Sequence, residues 1–211
     1  MNEEQGTESW FANRLGKVTA SRLADVLAKT KTGYSTSRNN YMTQLLLERI
    51  TQTRAESYSN SAMQWGTDQE PFARAAYEAH TGQMVEEVGF MPHPDIDASG
   101  ASPDGLVGDC GMVEIKCPSS STALEVWLTH SQGGNPVDAK YYAQMQWQMR
   151  CADRQWCDYV VFDPRMPAKA QLFIYRVERN ADWLKTTEDE ILKFLAELDA
   201  KVVALKSIIG E

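Results

Sequence analysis

The chain has 211 residues but only three histidines and four cysteines, and the cysteines, at 110, 117, 151 and 157, show no C-x-x-C spacing. That excludes the familiar zinc frameworks and a disulfide scaffold, and buried free thiols are the expected state. No apolar run of roughly eighteen residues, the length a membrane-spanning helix needs, is present. The start, Met1-Asn2-Glu3-Glu4, lacks the basic and apolar regions of a signal peptide, so a soluble cytoplasmic protein with no membrane partner is expected. Positive charge is in deficit as well, with 21 lysines and arginines against 29 acids and a formal net charge of −8. No internal repeat is found, and the length fits one domain over residues 1–211 with a core of its own.

What is present is a short, ordered set of charged residues. Ser102-Pro103-Asp104-Gly105 is followed, ten residues after Asp104, by Glu114-Ile115-Lys116. The stretch from Met112 to Cys117 is rich in apolar residues and bounded by Gly111 and Pro118, which predicts a strand entered from a turn. Alternation along that strand sends Glu114 and Lys116 to one face, for chemistry, and Val113, Ile115 and Cys117 to the other, for the core. Pro-Asp-Gly is a turn signal, and a hairpin there brings Asp104 back beside Glu114. Two convergent carboxylates with a lysine nearby suit Mg²⁺, which prefers oxygen donors and keeps some of its water. Asp104 would bridge two ions, with Glu114 and the main-chain carbonyl of Ile115 completing the first, and Mn²⁺ is an alternative ion. Ions so placed polarise a phosphodiester and stabilise its leaving oxygen, while Lys116 orients or activates the attacking water. The pattern points to a metal-dependent nuclease, although a Glu/Lys pair on a strand is by itself a common solvated surface.

Further segments extend the pattern in order: Trp10 to Ser21, Trp65-Gly66 followed by Glu70, Tyr141 to Gln146, and Asp163-Pro164-Arg165-Met166. Together with the two central motifs they resemble the lambda-exonuclease family of phage recombination nucleases, which takes in the YqaJ-type viral recombinases and falls within the PD-(D/E)-x-K nuclease superfamily. The resemblance implies an α/β fold with a restriction-endonuclease-like core, a mixed central sheet flanked by helices. It also implies roles. Arg14 matches the arginine that receives a 5′-terminal phosphate, for which its planar fork is suited. Ser21, at an expected helix start, would face the same phosphate or serve as an N-cap, and Ser102 joins the substrate-binding set. Glu70 matches an acidic residue that organises the metals through water, with Pro71 expected in the first turn of its helix. Gln144 matches an active-site glutamine, while Gln146, two residues on, points elsewhere. Met63 matches an apolar wedge near the site, the alternative being core packing.

The activity implied is a Mg²⁺-dependent, processive 5′→3′ exonuclease on double-stranded DNA ends, releasing mononucleotides and leaving a 3′ single strand for annealing recombination. A ring-shaped homotrimer, a single-strand annealing protein as partner, and a phage or prophage origin in a bacterial host are implied with it. Two rivals stand beside this reading: an endonuclease with the same metal centre, and a DNA-binding recombination scaffold with a silent site. The charge distribution eases the conflict with a polyanionic substrate, since residues 11–54 carry eight basic residues against two acids and residues 55–115 carry one against eleven. A basic DNA-facing surface is expected from the first segment, or else a plain solvated face.

Periodicity predicts helices at 20–28, 40–51, 65–81, 122–129, 138–151 and 182–208, and strands at 83–91, 105–107, 112–117, 157–162 and 172–177. Residues 29–40, polar and basic, read as a loop that either orders on DNA or is simply surface. The apolar stripe of the last helix reads as core or as subunit contact.

Overall fold

The computed structural model describes residues 4–55 and 60–210. In chain order these form α1 (Glu8–Arg14), β1 (Val18–Thr19), α2 (Leu23–Leu27), β2 (Lys29–Thr30), β3 (Gly33–Tyr34), α3 (Thr36–Thr51), α4 (Ser61–Thr81), β4 (Val85–Glu86), β5 (Met91–Pro92) and β6 (Ser99–Ala101). There follow β7 (Gly105–Val107), β8 (Gly111–Lys116), α5 (Ser120–Ser131), α6 (Ala139–Cys151), β9 (Trp156–Phe162), β10 (Leu172–Glu178) and α7 (Ala181–Ile209).

The main sheet has the order β10-β9-β8-β7-β4, with β8 and β9 parallel and the other neighbours antiparallel. It is the mixed sheet flanked by helices that was expected. Alternation along β8 sorts its two faces. Val113 and Ile115 pack with Ala73 and Tyr77 of α4. Met112, on the other face, packs with Ala123 and Val126 of α5 and with Met145 and Met149 of α6. The result is a helix–sheet–helix sandwich, and it corrects one expectation. The face of β8 that carries Glu114 opens only toward its Lys116 end, because Met112 beside it belongs to a core and Glu114 itself is fully buried. A central strand covered on both sides is buried on both sides.

A second core lies among α2, α3, α6 and α7, built around Tyr41, Leu45, Trp147, Ile191, Phe194 and Leu198. The small sheet β1-β6-β5 borders it, with Val18 paired in parallel to Ser99. The α7 stripe is therefore core through Leu198, while Val202 and Leu205 are half-buried.

Several boundaries differ from the sequence reading. Residues 20–28 split into a 3₁₀ turn, Ala20–Arg22, and α2. The expected strand at 83–91 becomes β4 and β5, which belong to different sheets. Residues 29–40 are not a loop: they form the β2–β3 hairpin and the start of α3, where the Ser35 side chain accepts the Arg38 N–H. The basic segment also has fewer unpaired cations than expected, because Arg22, Lys29, Arg38 and Arg49 pair with Asp25, Glu190, Glu197 and Asp199, the last three on α7. All four cysteines are free, but Cys110 is exposed and Cys151 half-buried, leaving only Cys117 and Cys157 as the buried thiols expected.

Candidate active site

The turn and the strand meet as the sequence spacing requires. Gly105 pairs with Val113 across the antiparallel β7–β8 ladder, which puts Asp104 opposite Glu114. Asp104 Oδ2 accepts the main-chain N–H of Ile115 at 2.7 Å, fixing the carboxylate against the strand. Glycine is required after it, since a Cβ at Gly105 would lie 2.1 Å from Val85 Cγ1 on the neighbouring strand.

Glu114 is gripped on both oxygens. Oε1 accepts from Lys116 Nζ and, at 2.6 Å, from Gln144 Nε2, while Oε2 accepts from Gln148 Nε2 at 2.7 Å. Both glutamines come from α6, whose N-terminus is capped by the Asp138 side chain accepting the Lys140 N–H. Gln146 turns away as expected, donating to Glu178 O and accepting from Asn180 N.

On the other wall stands Arg14, from a helix the periodicity did not reveal. Thr7 caps α1, and the i, i+4 spacing puts Trp10 and Arg14 on one face, with the guanidinium 4.1 Å over the indole ring. Both donate to Ser102 Oγ, Arg14 at 2.9 Å and Trp10 at 3.0 Å. Among the described residues the Arg14 fork thus meets a neutral hydroxyl and not a carboxylate. Ser21, Ser102, Asp104, Glu114, Lys116 and Gln144 line one cleft together with Arg14.

The electrostatics follow from this crowding. Burial raises the Asp104 pKa well above the ordinary carboxylate value of 3.8, Glu114 adds to it, and Lys116 only partly opposes it. Burial alone would lower the Lys116 pKa, but Glu114 and Asp104 outweigh it and hold the ammonium above the usual lysine range. Burial lowers the Arg14 pKa, with Tyr41 and Glu48 opposing this and Arg54 adding to it. The cleft therefore sets a carboxylate pair in need of positive charge beside an arginine that, among the described residues, is bonded to no carboxylate.

Residues 9–155 match the model of the YqaJ-like viral recombinase domain. The chain belongs to that family. It is 49% identical to the alkaline exonuclease LHK-Exo of Laribacter hongkongensis over 97% of this chain and 98% of that one, with TM-scores of 0.88 for the complex with dAMP and 0.86 for a second structure. A phage-related exonuclease from Haemophilus somnus 129PT shares the fold, with a TM-score of 0.70 and 13% identity over 90% of this chain and 96% of that one. A search of curated proteins finds no match. Membership of the recombinase family makes the chain a nuclease of DNA recombination.

Of the remaining expected residues, Glu70 lies outside the cleft, Pro71 departs from expectation, and Met63 and Ser21 each lose one of two alternatives. Glu70 lies in a pocket that meets the cleft only through Asp104 and Gln5, and its carboxylate pairs with Arg74 at 3.0 Å. Burial raises its pKa, Arg74 opposes this, and Glu114 adds to it, so Glu70 senses the cleft without lining it. Pro71 is not in a first turn: α4 begins at Ser61, capped by Asn60, and the proline sits well inside the helix. Met63 is 56% exposed, which removes the core-packing alternative, and it lines the pocket next to the cleft with Trp10, Arg14 and Arg54. Ser21 sits inside the 3₁₀ turn and caps nothing.

Gln148 was missed. Its position four residues after Gln144 on a helical run was the available signal. Trp10 was placed in a matching segment but given no role, although its spacing to Arg14 is visible in the sequence.

Among the described residues no three His, Cys, Asp or Glu side chains are grouped in a way that could hold a metal. Asp104 and Glu114 with a main-chain carbonyl still fit Mg²⁺, an ion that fills its octahedron with water and substrate oxygens in preference to protein cages. The raised Asp104 pKa is the mark of a carboxylate pair that a cation would relieve.

Proposed function

We propose that this protein is a Mg²⁺-dependent 5′→3′ exonuclease that degrades one strand of double-stranded DNA from its end, releasing mononucleotides and leaving a 3′ single strand. The observation that carries the reading is the sharing of one cleft by Arg14 and the Asp104–Glu114–Lys116 group. Among the described residues that guanidinium has no carboxylate partner, which suits it to a terminal phosphate, a group an internal cut does not offer. Trp10 holds the fork by stacking, and Ser102 fixes its direction. The LHK-Exo complex with dAMP, a nucleoside monophosphate, supports release of single nucleotides.

In this reading Asp104, Glu114 and the Ile115 carbonyl hold the metal, two ions or Mn²⁺ being compatible with the same donors. The bound ion supplies Lewis-acid activation of the phosphate and of the attacking water. Lys116, kept cationic by its carboxylate neighbours, orients that water and offsets charge on the phosphate, and is poorly suited to act as a base. Gln144 keeps Glu114 in place, Glu70 shapes the field from behind Asp104, and Ser21 and Met63 face the incoming strand. Processive action by a ring of three copies, an annealing protein on the surviving strand, and a bacterial cytoplasm as the setting belong to the same proposal. Among the described residues no helix is long and apolar enough to cross a membrane.

The test is digestion of linear duplex DNA labelled on each strand, with 5′-phosphate or 5′-hydroxyl ends, in Mg²⁺ or EDTA. Loss of only the 5′-ended strands, fastest from phosphorylated ends and slowed about 10²–10⁴-fold in Lys116→Ala, is the expected result. Arg14→Ala should erase the preference for phosphorylated ends. Internal fragments would replace this reading with an endonuclease, and binding without hydrolysis would replace it with a scaffold.

A further inference from the structure

Gln148 is fully buried on α6 and reaches the same carboxylate as Gln144 from the other side. One hydrogen of its Nε2 goes to Glu114 Oε2 at 2.7 Å, and the group also approaches the main-chain oxygen of Ser102 at a longer 3.4 Å. Ser102 is the residue whose hydroxyl receives both Arg14 and Trp10. We propose that Gln148 is a positioning residue for divalent metal: it fixes the plane of the Glu114 carboxylate and ties that carboxylate to the Ser102 segment that holds Arg14. The inference rests on the metal-dependent nuclease reading above.

Three considerations carry it. First, an ionised carboxylate only accepts, so the Gln148 amide cannot be reversed without setting Oε1 against Glu114 Oε2. Second, Lys116 and Gln144 both hold Oε1, and among the described hydrogen bonds Gln148 alone holds Oε2. Without it no described hydrogen bond fixes Oε2, and the carboxylate turns about the Oε1 contacts. Third, Gln148 Oε1 is itself buried with no hydrogen-bond partner. If the residue only filled space, methionine would fill it without an orphaned oxygen. The glutamine is explained by what its amide hydrogens hold.

The experiment compares the full-length wild type with Gln148→Met and Gln148→Ala. Mg²⁺ affinity is measured by calorimetry in the absence of DNA, the melting temperature is measured in EDTA, and the Mg²⁺ dependence of digestion is measured as an independent readout. The expected result is an EDTA melting temperature within a few degrees of wild type for Gln148→Met and an Mg²⁺ dissociation constant raised about 10- to 100-fold, as for other residues that orient metal ligands. Saturating Mg²⁺ should restore most of kcat, which a general packing defect would not allow. Wild-type Mg²⁺ affinity in a folded Gln148→Met or Gln148→Ala protein overturns the proposal, as does failure of both variants to fold. If the wild type itself takes up no Mg²⁺, the metal-dependent reading of the site fails, and this inference falls with it.

Discussion

At the residue scale the consequential group is Asp104, whose surroundings favour the protonated carboxyl. A carboxyl whose pKa rises on folding stabilises the protein below its unfolded value, and that stability is lost as pH rises through the folded value. For Asp104 the loss begins just above 3.8 and runs up to a folded pKa set well above it by burial and by Glu114. Asp104→Asn keeps an oxygen to accept the Ile115 N–H and removes the charge, so it removes the loss. In EDTA, the variant should melt with the wild type near pH 4 and above it at pH 8, by about 2–4 °C for each kcal/mol relieved. Mg²⁺ at pH 8 should raise the melting temperature of the wild type and leave that of the variant unchanged. Parallel melting profiles for the two proteins from pH 4 to 8 would contradict the electrostatic account of the cleft. The same linkage predicts that Mg²⁺ binds more weakly as pH falls, since the ion competes with a proton for Asp104.

At the element scale the contact between α3 and α7 turns on an uneven ion pair. Arg38 is 2% exposed and Glu197 is 46% exposed, with the guanidinium donating to both carboxylate oxygens at 2.8 and 2.9 Å. Removing the glutamate strands a buried cation whose Nε already lacks a partner, whereas removing the arginine leaves a carboxylate that water can reach. Glu197→Ala should therefore cost about 3 kcal/mol in urea unfolding, and Arg38→Met about 1 kcal/mol or less. A reversed order would mean that stacking of Arg38 on Tyr34, 3.7 Å away, carries the contact. This pair also marks a limit of the sequence. Local signals were enough for β8 and for the turn at Asp104, because apolar alternation and Pro-Asp-Gly act over a few residues. They were not enough for β1 and β6, two- and three-residue strands that exist only because Val18 meets Ser99. Nor could they show that Lys29, Arg38 and Arg49 would turn to α7, since nothing near them in the chain is their partner. In the cleft, Asp104, Glu114 and Lys116 were legible from spacing, and Arg14 and Gln144 from resemblance. Gln148 was within reach too, since an i, i+4 spacing puts it on the face of α6 that Gln144 marks, but that it would grip the second oxygen of Glu114 is decided by tertiary packing.

At the scale of the whole molecule, a net charge of −8 has to be reconciled with a polyanionic substrate. Counting charges along the chain suggests eight cations in residues 11–54, but three of them are held by α7 and Arg22 is held by Asp25. Cations already neutralised inside the protein release no counterions from DNA, so they should not contribute to the salt dependence of binding. Lys17 differs, since it lines the pocket beside Arg14 and Arg54. Binding of a short phosphorylated duplex, followed by anisotropy in EDTA over a range of KCl concentrations, separates the two groups. Lys17→Ala should flatten the slope of log affinity against log salt by about 1, the value for one lost phosphate contact, while Arg49→Ala should leave it unchanged. If Arg49→Ala also flattened the slope, the ion pair to Asp199 would have to open when DNA binds. The α3–α7 contact would then be part of the nucleic-acid surface and not only its support.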